Sequence, residues 1–522
     1  MNGMQVQCRP LRRHTLRCMT VEFELKLSTD PDTLDTLAST RLPEGWQTED
    51  WQSSQLQNHY YDNEDADLLA RRIALRIRGE NGRYTQTIKA AGQTIGGLHQ
   101  RLEFDHPVTS LALDASGFPD QEWAGWLAAQ VRAELLMPVF RTDFLRRARR
   151  LRHVSGTEVE LALDLGSVST DDEQEAICEI ELELKQGEAG PMFELARHLI
   201  EHHPLVPDNR SKAERGYRLL EWHTPPESRL APLELAEDAS LWTIFTEAIG
   251  TAWSHWQRYE KEFLSLPSVQ SVEQMRRAVG LMRHILVCYN GLPLPEMVQR
   301  WTRQLTRMMK TLHWVRYARA QNAADRIILS TQGEHYLPHH EEFEDILPDE
   351  RLFASGMEQT QQLLSSREYA RFSLDMAEFL LLPPVPAPEL QEQAAERATA
   401  LVIRQWGDLQ TIWREAPVAA DFEYYTQQRR LLRRALWSSL LFGDLFEHRQ
   451  RDLFIDPCRD LLAGVEDIAT LNCLEQMAKQ LPPETAQEVA NWLAAQRETL
   501  WTALQMTRDR ALRAEPDDLE SD

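Results

Sequence analysis

The alternation of side chains in Val21–Leu27 constrains the fold of this chain more than any other feature of the sequence. Successive side chains of a β-strand point to opposite faces. One face of this segment therefore carries only charged groups, from Glu22, Glu24 and Lys26, and the other face only apolar groups. For one isolated segment, the solvated side of an edge strand explains such a pattern.

The same alternation recurs in four later segments, so a solvated edge strand no longer accounts for it. Their polar faces carry Ala74, Arg76 and Arg78; Thr85, Thr87 and Lys89; Arg101 and Glu103; and Glu179, Glu181 and Glu183. Because the five polar faces together bear charges of both signs, the pattern predicts a barrel with a charged interior and an apolar exterior. Salt-bridge ladders on an exposed antiparallel sheet are the alternative.

In order and spacing, these residues resemble the CYTH superfamily, the triphosphate tunnel metalloenzymes. The resemblance rests on Glu22-x-Glu24-x-Lys26, Arg76-x-Arg78, Lys89, Arg101-x-Glu103, Asp164 and Glu179-x-Glu181. The stretches 76–84 and 96–101 are similar to the bacterial inorganic triphosphatase branch, in which a helical CHAD domain follows the CYTH domain. The resemblance implies an α+β chain: an N-terminal antiparallel β-barrel, the triphosphate tunnel, followed by an all-α helical bundle of the CHAD type.

The resemblance also implies roles for the charged residues. The expected substrate-binding residues are Lys26, Arg76, Arg78, Lys89, Arg101, Arg146 and Lys212, and the expected metal ligands are Glu22, Glu24, Glu103, Asp164, Glu179 and Glu181. Arginine grips phosphate oxygens in pairs, whereas carboxylates suit a hard cation, so the expected cofactor is Mg²⁺ or Mn²⁺. Glu22, Glu24 and Lys26 are the expected catalytic residues, with Lys26 as either a phosphate ligand or a proton acceptor.

Some neighbouring charges leave alternatives open. Arg141 is a second candidate beside Arg146, although the spacing to the following residues favours Arg146. Glu183 shares the face of Glu179 and Glu181 but is assigned after them. Glu158 and Glu160 fit tunnel walls and solvated positions equally well.

The expected activity is metal-dependent hydrolysis of tripolyphosphate to pyrophosphate and phosphate. Thiamine triphosphatase and class IV adenylate cyclase are alternatives within the same fold, and a non-catalytic polyphosphate-binding scaffold is an alternative from another class. The sequence contains no Walker A loop and no G-x-G-x-x-G after a predicted strand that would indicate a different phosphate site.

Charge and cysteine content limit the partners and the compartment. A net charge of −24 argues against binding to nucleic acid or an anionic membrane, because both attract a basic surface. The six cysteines form no C-x-x-C pair, and no apolar run is long enough to span a bilayer. We therefore expect a cytoplasmic protein with reduced thiols.

The period of the hydrophobic pattern changes from 2 to 3.6 after a proline-containing segment, which divides the chain. We expect a flexible extension or a misassigned start at 1–18, with Met19 as the natural start, and a CYTH domain at 19–223. A linker at 224–234 then leads to a CHAD-like domain at 235–510, whose two helix clusters divide near 383–388, and an acidic disordered tail occupies 511–522.

The helical half departs from the CHAD pattern, which typically opens with a His-x-x-Arg helix and further arginines one turn apart. Glu273 stands where the histidine is expected, and Gly280 and Leu281 stand where arginines are expected. The second cluster keeps Arg429, Arg430, Arg433 and Arg434. A glutamate in place of a histidine repels phosphate, so we expect only weak polyphosphate binding and a mainly structural role.

Overall fold

The computed structural model describes residues 20–114, 135–222, 230, 232–236, 238–328, 337–344, 353–417, 421–446 and 448–513. The chain forms two compact units, of which the first comprises Met1–Pro225 and Leu364–Pro383 and the second Pro226–Leu363 and Pro384–Asp522. The expected extension 1–18, most of the helix predicted at 120–137, most of the linker and the tail from 514 onward lie outside the described residues.

The first unit contains a closed antiparallel β-barrel of eight strands. Its sheet elements are β1 (Thr20–Ser28), β2 (Trp46–Thr48), β3 (Gln52–Asp62), β4 (Ala74–Glu80), β5 (Arg83–Ile95), β6 (Leu98–Val108), β7 (Met137–His153), β8 (Glu158–Ser169), β9 (Gln174–Gln186) and β10 (Val206–Pro207). The barrel strands follow the order β1-β6-β5-β4-β3-β7-β8-β9, and pairing of β9 with β1 closes the ring. The short strands β2 and β10 pair with β7 and β1. The predicted barrel and helical region are confirmed.

The β4–β5 hairpin has the register that its sequence predicts. Glu80 pairs with Arg83 across the two-residue turn, in which Asn81 and Gly82 have φ values of 49° and 75°. Positive φ at both positions is the reason that Asn-Gly favours this turn. Arg76 consequently faces Thr87 on the inner side of the barrel.

Helices of the first unit cover the outside of the barrel. They are α1 (Pro31–Leu37), α2 (Asp67–Ala70), α3 (Gly190–His202), α4 (Lys212–Leu219) and, much later in the chain, α11 (Arg367–Leu381). The apolar faces of β1, β8 and β9 pack with α3 and α11 in one core, in which Leu25, Leu27 and Leu374 are fully buried. The outward apolar face of the first strand therefore has a helical partner from residue 367 onward.

Helix α11 lies within the stretch for which the sequence predicts a CHAD-like domain, yet it belongs to the first unit. The sequence also predicts one helix over 347–382, whereas the chain forms α10 (Ala354–Leu364) and then α11. The break has a local cause, because the Ser366 hydroxyl accepts a hydrogen bond from the Tyr369 amide at 3.2 Å and caps α11. At the β5–β6 turn, a Cβ on Gly96 would lie 2.3 Å from the Ser373 carbonyl oxygen, so the close approach of α11 requires glycine there.

The described part of the second unit is helical. Its longer elements are α5 (Leu241–Ser265), α6 (Val269–Cys288), α7 (Glu296–Thr311), α8 (Val315–Ile328), α9 (His340–Glu344), α10, α12 (Ala395–Arg414), α13 (Phe422–Phe442), α14 (His448–Ala478) and α15 (Pro483–Ala511). Helices α5 and α6 pack together, and α14 packs against both α13 and α15. Among the described residues, no helix is long and apolar enough to cross a membrane.

Candidate active site in the barrel interior

The inward faces of the barrel strands enclose a cavity of about 210 Å³. Residues that the sequence predicts for the site and that line this cavity are Glu22, Glu24, Lys26, Arg76, Arg78, Lys89, Arg101, Glu103, Arg146, Glu181 and Lys212. Asp164 and Glu179 are completely buried beside it. All the predicted residues thus lie in one region, although two of them do not face the cavity.

Strand β1 is paired along both edges, and two of its three inward charges lie opposite complementary ones, whereas Glu24 lies opposite Glu183 of β9. Glu22 lies opposite Arg101 of β6, and Lys26 lies opposite Glu181 of β9. Oppositely charged cross-strand neighbours are the arrangement that a sheet tolerates best. The alternation in the first strand is therefore satisfied inside the barrel rather than in solvent.

The ammonium group of Lys212 is bound by three carboxylates. Its Nζ donates to Asp164 Oδ2 at 2.7 Å, to Glu181 Oε1 at 2.8 Å and to Glu179 Oε1. Lys212 is the first residue of α4, whose preceding Ser211 forms a capping box with Glu214. The cap fixes the helix start, and the helix start holds Lys212 against the acids.

Arg146 and Arg215 complete the charge balance of the same acids. Arg146 donates from Nε and Nη2 to the two oxygens of Asp164 at 2.8 and 2.7 Å, and also contacts Glu181. Arg215 donates to Glu179 Oε2 at 2.9 Å and to Asp208 Oδ2 at 2.8 Å. Buried acids that are paired in this way avoid most of the cost of burying a charge.

Lys26 is held in its charged form. Its Nζ lies 3.0 Å from Glu179, 3.1 Å from Glu181 and 3.7 Å from Glu24. Burial favours the neutral amine, but the adjacent Glu179 and Glu181 outweigh burial, so the pKa of Lys26 lies above its ordinary value. A protonated ammonium can donate to a phosphate oxygen but has no lone pair with which to accept a proton.

Glu22 and Glu24, two residues apart on β1, have opposite electrostatic environments. Burial disfavours the Glu22 carboxylate, but both oxygens of Glu22 accept from Lys89 Nζ at 2.7 Å, which lowers the pKa of Glu22 to about 2. Burial together with the nearby negative charge of Glu181 raises the pKa of Glu24 to about 8. Glu24 is therefore a buried acid whose negative charge is poorly compensated by the side chains around it.

The acidic residues fit a hard divalent cation. One oxygen from each of Asp164, Glu179 and Glu181 lies within 4.8 Å of the others, and carboxylate oxygens are the preferred donors for Mg²⁺ and Mn²⁺. Lys212 Nζ contacts all three acids, so an ion at this cluster would share them with the ammonium group. A cation near Glu24 and Glu181 would supply the positive charge that Glu24 lacks.

Three side chains at this site were not assigned from the sequence. Asn58 and Tyr60 face inward on β3, directly opposite Arg78 and Arg76 of β4. His99 faces inward on β6, two residues before Arg101. The period of two could have identified all three, since each shares the inner face with predicted residues. All three are uncharged, however, and the site was predicted from charged residues.

The alternatives left open by the sequence are resolved geometrically. Arg141 lies five residues before Arg146, so the two point to opposite faces of β7, and Arg141 is exposed with its Nε donating to Ser169 Oγ at 3.2 Å. Glu160 and Glu183 line the cavity. Glu158 instead accepts from Arg152 Nε at 3.0 Å at the end of the barrel.

The second unit contains a group of arginines that repel one another. Burial and the neighbouring Arg433, Arg316 and Arg429 lower the pKa of Arg276 to about 10. Burial and Arg429 likewise lower the pKa of Arg433 to about 10. Acidic groups compensate part of this charge, with Glu466 Oε1 lying 3.9 Å from Arg433 Nη2.

Glu273, the residue at the expected histidine position, lies at the edge of this arginine group. Its Oε1 accepts from Arg277 at 2.7 Å and lies 3.3 Å from Arg319. The negative charge of Glu273 is thus paired with arginines on two helices, α6 and α8.

A closed barrel with an interior of paired acids and bases, and with arginines facing a small cavity, defines a protein of the tunnel type. Comparison of the sequence with family models agrees: the model described as CYTH domain matches residues 20–217, and the model described as CHAD domain matches residues 247–469. The chain therefore contains a CYTH domain and a CHAD domain.

Individual relatives cover parts of the chain. A protein of Haemophilus influenzae named inorganic triphosphatase is 31% identical over 204 residues, which are 38% of this chain and 55% of that protein. The chain thus matches about half the length of this curated relative.

Solved structures match each region at low identity. The CHAD domain of Ricinus communis is 19% identical, with a TM-score of 0.41, over 56% of this chain and 98% of that one. A Hippeastrum protein described as an adenylyl cyclase with a dominant triphosphatase activity is 15% identical, with a TM-score of 0.28, over 39% of this chain and 98% of that one.

Proposed function

We propose that the protein is a metal-dependent inorganic triphosphatase that hydrolyses tripolyphosphate to pyrophosphate and phosphate inside the barrel. The observation that carries the proposal is the cavity of about 210 Å³, which is lined by lysines and arginines and bordered by a buried acidic cluster. Such a cavity matches a small polyanion that arrives with a divalent cation. The name of the Haemophilus influenzae relative supports the same activity.

The lysines and arginines of the site have two different roles in substrate binding. Lys26, Arg146 and Lys212 already contact carboxylates, so they hold the acidic cluster together and offer their remaining donors to one end of the substrate. Arg76 and Arg78 of β4 and Arg101 of β6 also line the cavity and bind the phosphate oxygens that carry the charge of the leaving pyrophosphate. The protonated state of Lys26 makes it a phosphate ligand rather than the proton acceptor.

Glu22, Glu24 and Glu181, with Asp164 and Glu179 behind them, would hold Mg²⁺ or Mn²⁺, and Glu103 borders the site beside Lys89 at 3.3 Å. Bound there, a divalent ion would neutralise charge on the phosphates and acidify a water molecule. Burial of the site excludes other water and strengthens each of these contacts.

Nucleoside or thiamine triphosphates are less well accommodated. Their organic groups need an apolar or aromatic surface. The aromatic side chains that line the cavity are Tyr60 and His99, and each already contacts an arginine. The lining therefore favours inorganic tripolyphosphate over thiamine triphosphate and over the ATP that an adenylate cyclase would use.

The test is a side-by-side assay of tripolyphosphate, ATP and thiamine triphosphate with Mg²⁺ and with Mn²⁺. Phosphate release from tripolyphosphate alone, or at a kcat/KM at least about tenfold higher than for the other two, is the expected result. Tight binding of polyphosphate without phosphate release under any divalent ion would instead establish the scaffold alternative.

We further propose that the arginine group of the second unit binds long polyphosphate weakly. The lowered pKa values of Arg276 and Arg433 report positive charge that the nearby acids leave partly uncompensated, and Glu273 reduces it. The full-length protein should bind long-chain polyphosphate more weakly than micromolar at physiological salt. The double variant Arg276→Ala/Arg433→Ala should lose this binding. Arg459→Ala, at an exposed position, should retain it. Submicromolar binding by the unaltered protein would contradict the proposal that binding is weak.

A further inference from the structure

The arginines and lysines of the barrel are held in place by two different kinds of partner. Lys26, Arg146 and Lys212 are held by carboxylates. In the part of the chain that the structure describes, Arg78 and Arg101 form no ion pair with an acid, and their closest hydrogen-bond partners are uncharged. Arg78 and Arg101 thus differ from Lys89 and Arg76, which lie near the carboxylates of Glu22 and Glu103.

Asn58 holds Arg78. The Nε of Arg78 donates to Asn58 Oδ1 at 2.9 Å, and the amide of Asn58 donates in turn to Thr142 Oγ1 at 2.8 Å. Asn58 lies opposite Arg78 in the pairing of β3 with β4 and opposite Thr142 in the pairing of β3 with β7. Both Asn58 and Thr142 are essentially inaccessible to solvent. Because Thr142 receives the amide hydrogen, the amide oxygen must point toward Arg78.

His99 holds Arg101 in a similar way. Its Nδ1 accepts from Arg101 Nη2 at 2.9 Å while its Nε2 lies 3.1 Å from the Asp208 carbonyl oxygen, which requires hydrogen on Nε2. Burial and the adjacent Arg101 hold the pKa of His99 well below its ordinary value, which keeps the ring neutral. Asn58 and His99 are thus neutral acceptors that hold Arg78 and Arg101, as carboxylates hold Lys26, Arg146 and Lys212.

We propose that Asn58 is a positioning residue of the triphosphate site, which orients Arg78 without neutralising it, and that His99 does the same for Arg101. This inference rests on the proposed function and specifies how two of the arginines that bind the polyanion are oriented. Arg78 fits this role because burial and the neighbouring Arg76 and Arg146 lower its pKa to about 10, against weaker opposing effects of Tyr60 and Asp164, so an added anion would stabilise its charge. A bound triphosphate would supply that anion.

The property of Asn58 that matters for phosphate binding is that its side chain carries no charge. An aspartate at this position would keep the size of the side chain and its contact with Arg78. It would also create an internal ion pair that a substrate phosphate must break, and its charge would repel the phosphate directly. The unliganded protein should tolerate the new pair, because it gives Arg78 a counterion.

The experiment compares Asn58→Asp with Gln52→Glu, which adds the same charge at an exposed position of the same strand. Titration calorimetry with tripolyphosphate and steady-state kinetics are measured on the full-length chain, together with thermal unfolding without ligand. Asn58→Asp should raise Kd and KM at least about tenfold and should keep or raise the unfolding temperature. Gln52→Glu should change neither Kd nor KM by more than about twofold. A purely structural role for Asn58 predicts the reverse, a lower unfolding temperature with unchanged affinity.

A second variant covers the case in which Asn58→Asp fails to fold. Thr142→Val removes the acceptor that orients the Asn58 amide, and Thr142→Ser restores it. Thr142→Val should raise KM and Thr142→Ser should return it toward the original value. If the unaltered protein hydrolyses tripolyphosphate but both Asn58→Asp and Thr142→Val bind it as tightly, only the present inference is overturned; if the unaltered protein neither binds nor hydrolyses tripolyphosphate, the proposed function fails first.

Discussion

At the scale of single residues, the barrel interior is organised by how completely each charge is compensated. Asp164 and Glu179 have two or more cationic contacts each, whereas Glu24 has Lys26 at 3.7 Å as its ion-pair partner among the described residues. A buried acid with weak compensation is expensive for the fold and is the group that gains most from an added cation. Function and stability therefore make opposite demands on Glu24.

Replacing Glu24 with glutamine separates these two demands. Glu24→Gln should lower tripolyphosphate turnover by at least about 100-fold, because the amide cannot hold a divalent ion as the carboxylate does. The unfolding temperature should stay the same or rise, because glutamine is neutral without binding a proton, whereas Glu24, with a pKa of about 8, must take up a proton to be neutral in this buried position. Phosphate release and calorimetric unfolding measure the two effects.

Glu158→Gln is the matched control, because Glu158 pairs with Arg152 outside the cavity. It should change turnover by less than about threefold, as surface ion pairs contribute little. Equal rates for Glu24→Gln and the unaltered protein at saturating Mg²⁺ would contradict the assignment of Glu24.

Arg76 and Arg83 lie on the two strands of one hairpin and differ in where they point. Arg76 faces the cavity, and Arg83 is exposed at the turn. Arg76→Ala should raise KM for tripolyphosphate about tenfold or more, and should slow turnover if the contact strengthens as charge moves to the leaving group. Arg83→Ala should leave both constants nearly unchanged, and an equally damaging Arg83→Ala would show that the two side chains have been assigned the wrong roles.

At the scale of elements, the strands and a closed barrel were predictable, whereas the pairing partner of each strand was not. Alternation in Val21–Leu27 predicts a strand and its charged face without knowledge of its partners. Pairing of Lys26 with Glu181 joins residues far apart in the sequence, and a shift of one residue would have turned every charge outward. The positions of the site residues along the chain were assigned from the family resemblance rather than from the alternation.

Uncharged and helical contributors to the site were missed for identifiable reasons. Asn58 and His99 resemble ordinary strand residues until the opposing strand is known. Arg215 lies one helical turn after Lys212, and its contact with Glu179 depends on where α4 packs. Placement of α11 in the first unit depends on its tertiary contacts with α3, β5 and β10, which amphipathic periodicity alone cannot identify.

Helix α11 should stabilise the strand that carries the catalytic candidates. Leu374 is fully buried in the core that contains Leu25 and Leu27 of β1, so Leu374→Ala should destabilise the first unit by about 2–5 kcal/mol. Hydrogen exchange should accelerate at the amides of β1. Thermal unfolding and exchange followed by mass spectrometry measure these effects.

Arg371→Ala provides the comparison on the same helix. Arg371 is exposed and contacts Glu201 on the surface, so its removal should cost less than about 1 kcal/mol. If Leu374→Ala and Arg371→Ala destabilised the protein equally, α11 would not be part of the barrel's core.

At the scale of the whole molecule, buried histidines of the second unit should set its acid stability. Burial lowers the pKa of His255 to about 4, against a weaker opposing effect of its hydrogen bond to Gln274, and burial with Arg434 lowers the pKa of His284 to about 3. The unfolded value is about 6.5, so the unfolded chain binds more protons between these limits. Stability is therefore complete above about pH 6.5 and falls as the pH drops toward 4 and 3.

The double variant His255→Asn/His284→Asn should flatten this dependence. Each histidine contributes at most about 1.4 kcal/mol per pH unit to the slope of the unfolding free energy. Denaturant unfolding between pH 4 and 7, monitored by the helical circular dichroism signal, gives the slope. An unchanged slope would mean that neither imidazole stays neutral in the folded unit.

Chelation should abolish activity without unfolding the barrel. Lys212, Arg146 and Lys26 compensate the buried acids from within, and the apolar core lies outside the charged cavity. EDTA should therefore remove tripolyphosphate hydrolysis, which added Mg²⁺ restores, and should lower the unfolding temperature by only a few degrees through lost ion binding. Loss of the β-sheet signal on chelation would contradict this internal compensation.

The position of α11 in the sequence also has a consequence for synthesis on the ribosome. Strand β1 emerges first, its partners β6 and β9 follow, and the helix that covers its apolar side ends at residue 381. At about 5–20 residues per second, the stretch from β9 to the end of α11 takes on the order of 10–40 s to translate. During that interval the apolar residues of this core lack their contacts with α11, so the barrel core is complete only after the chain has been made to residue 381.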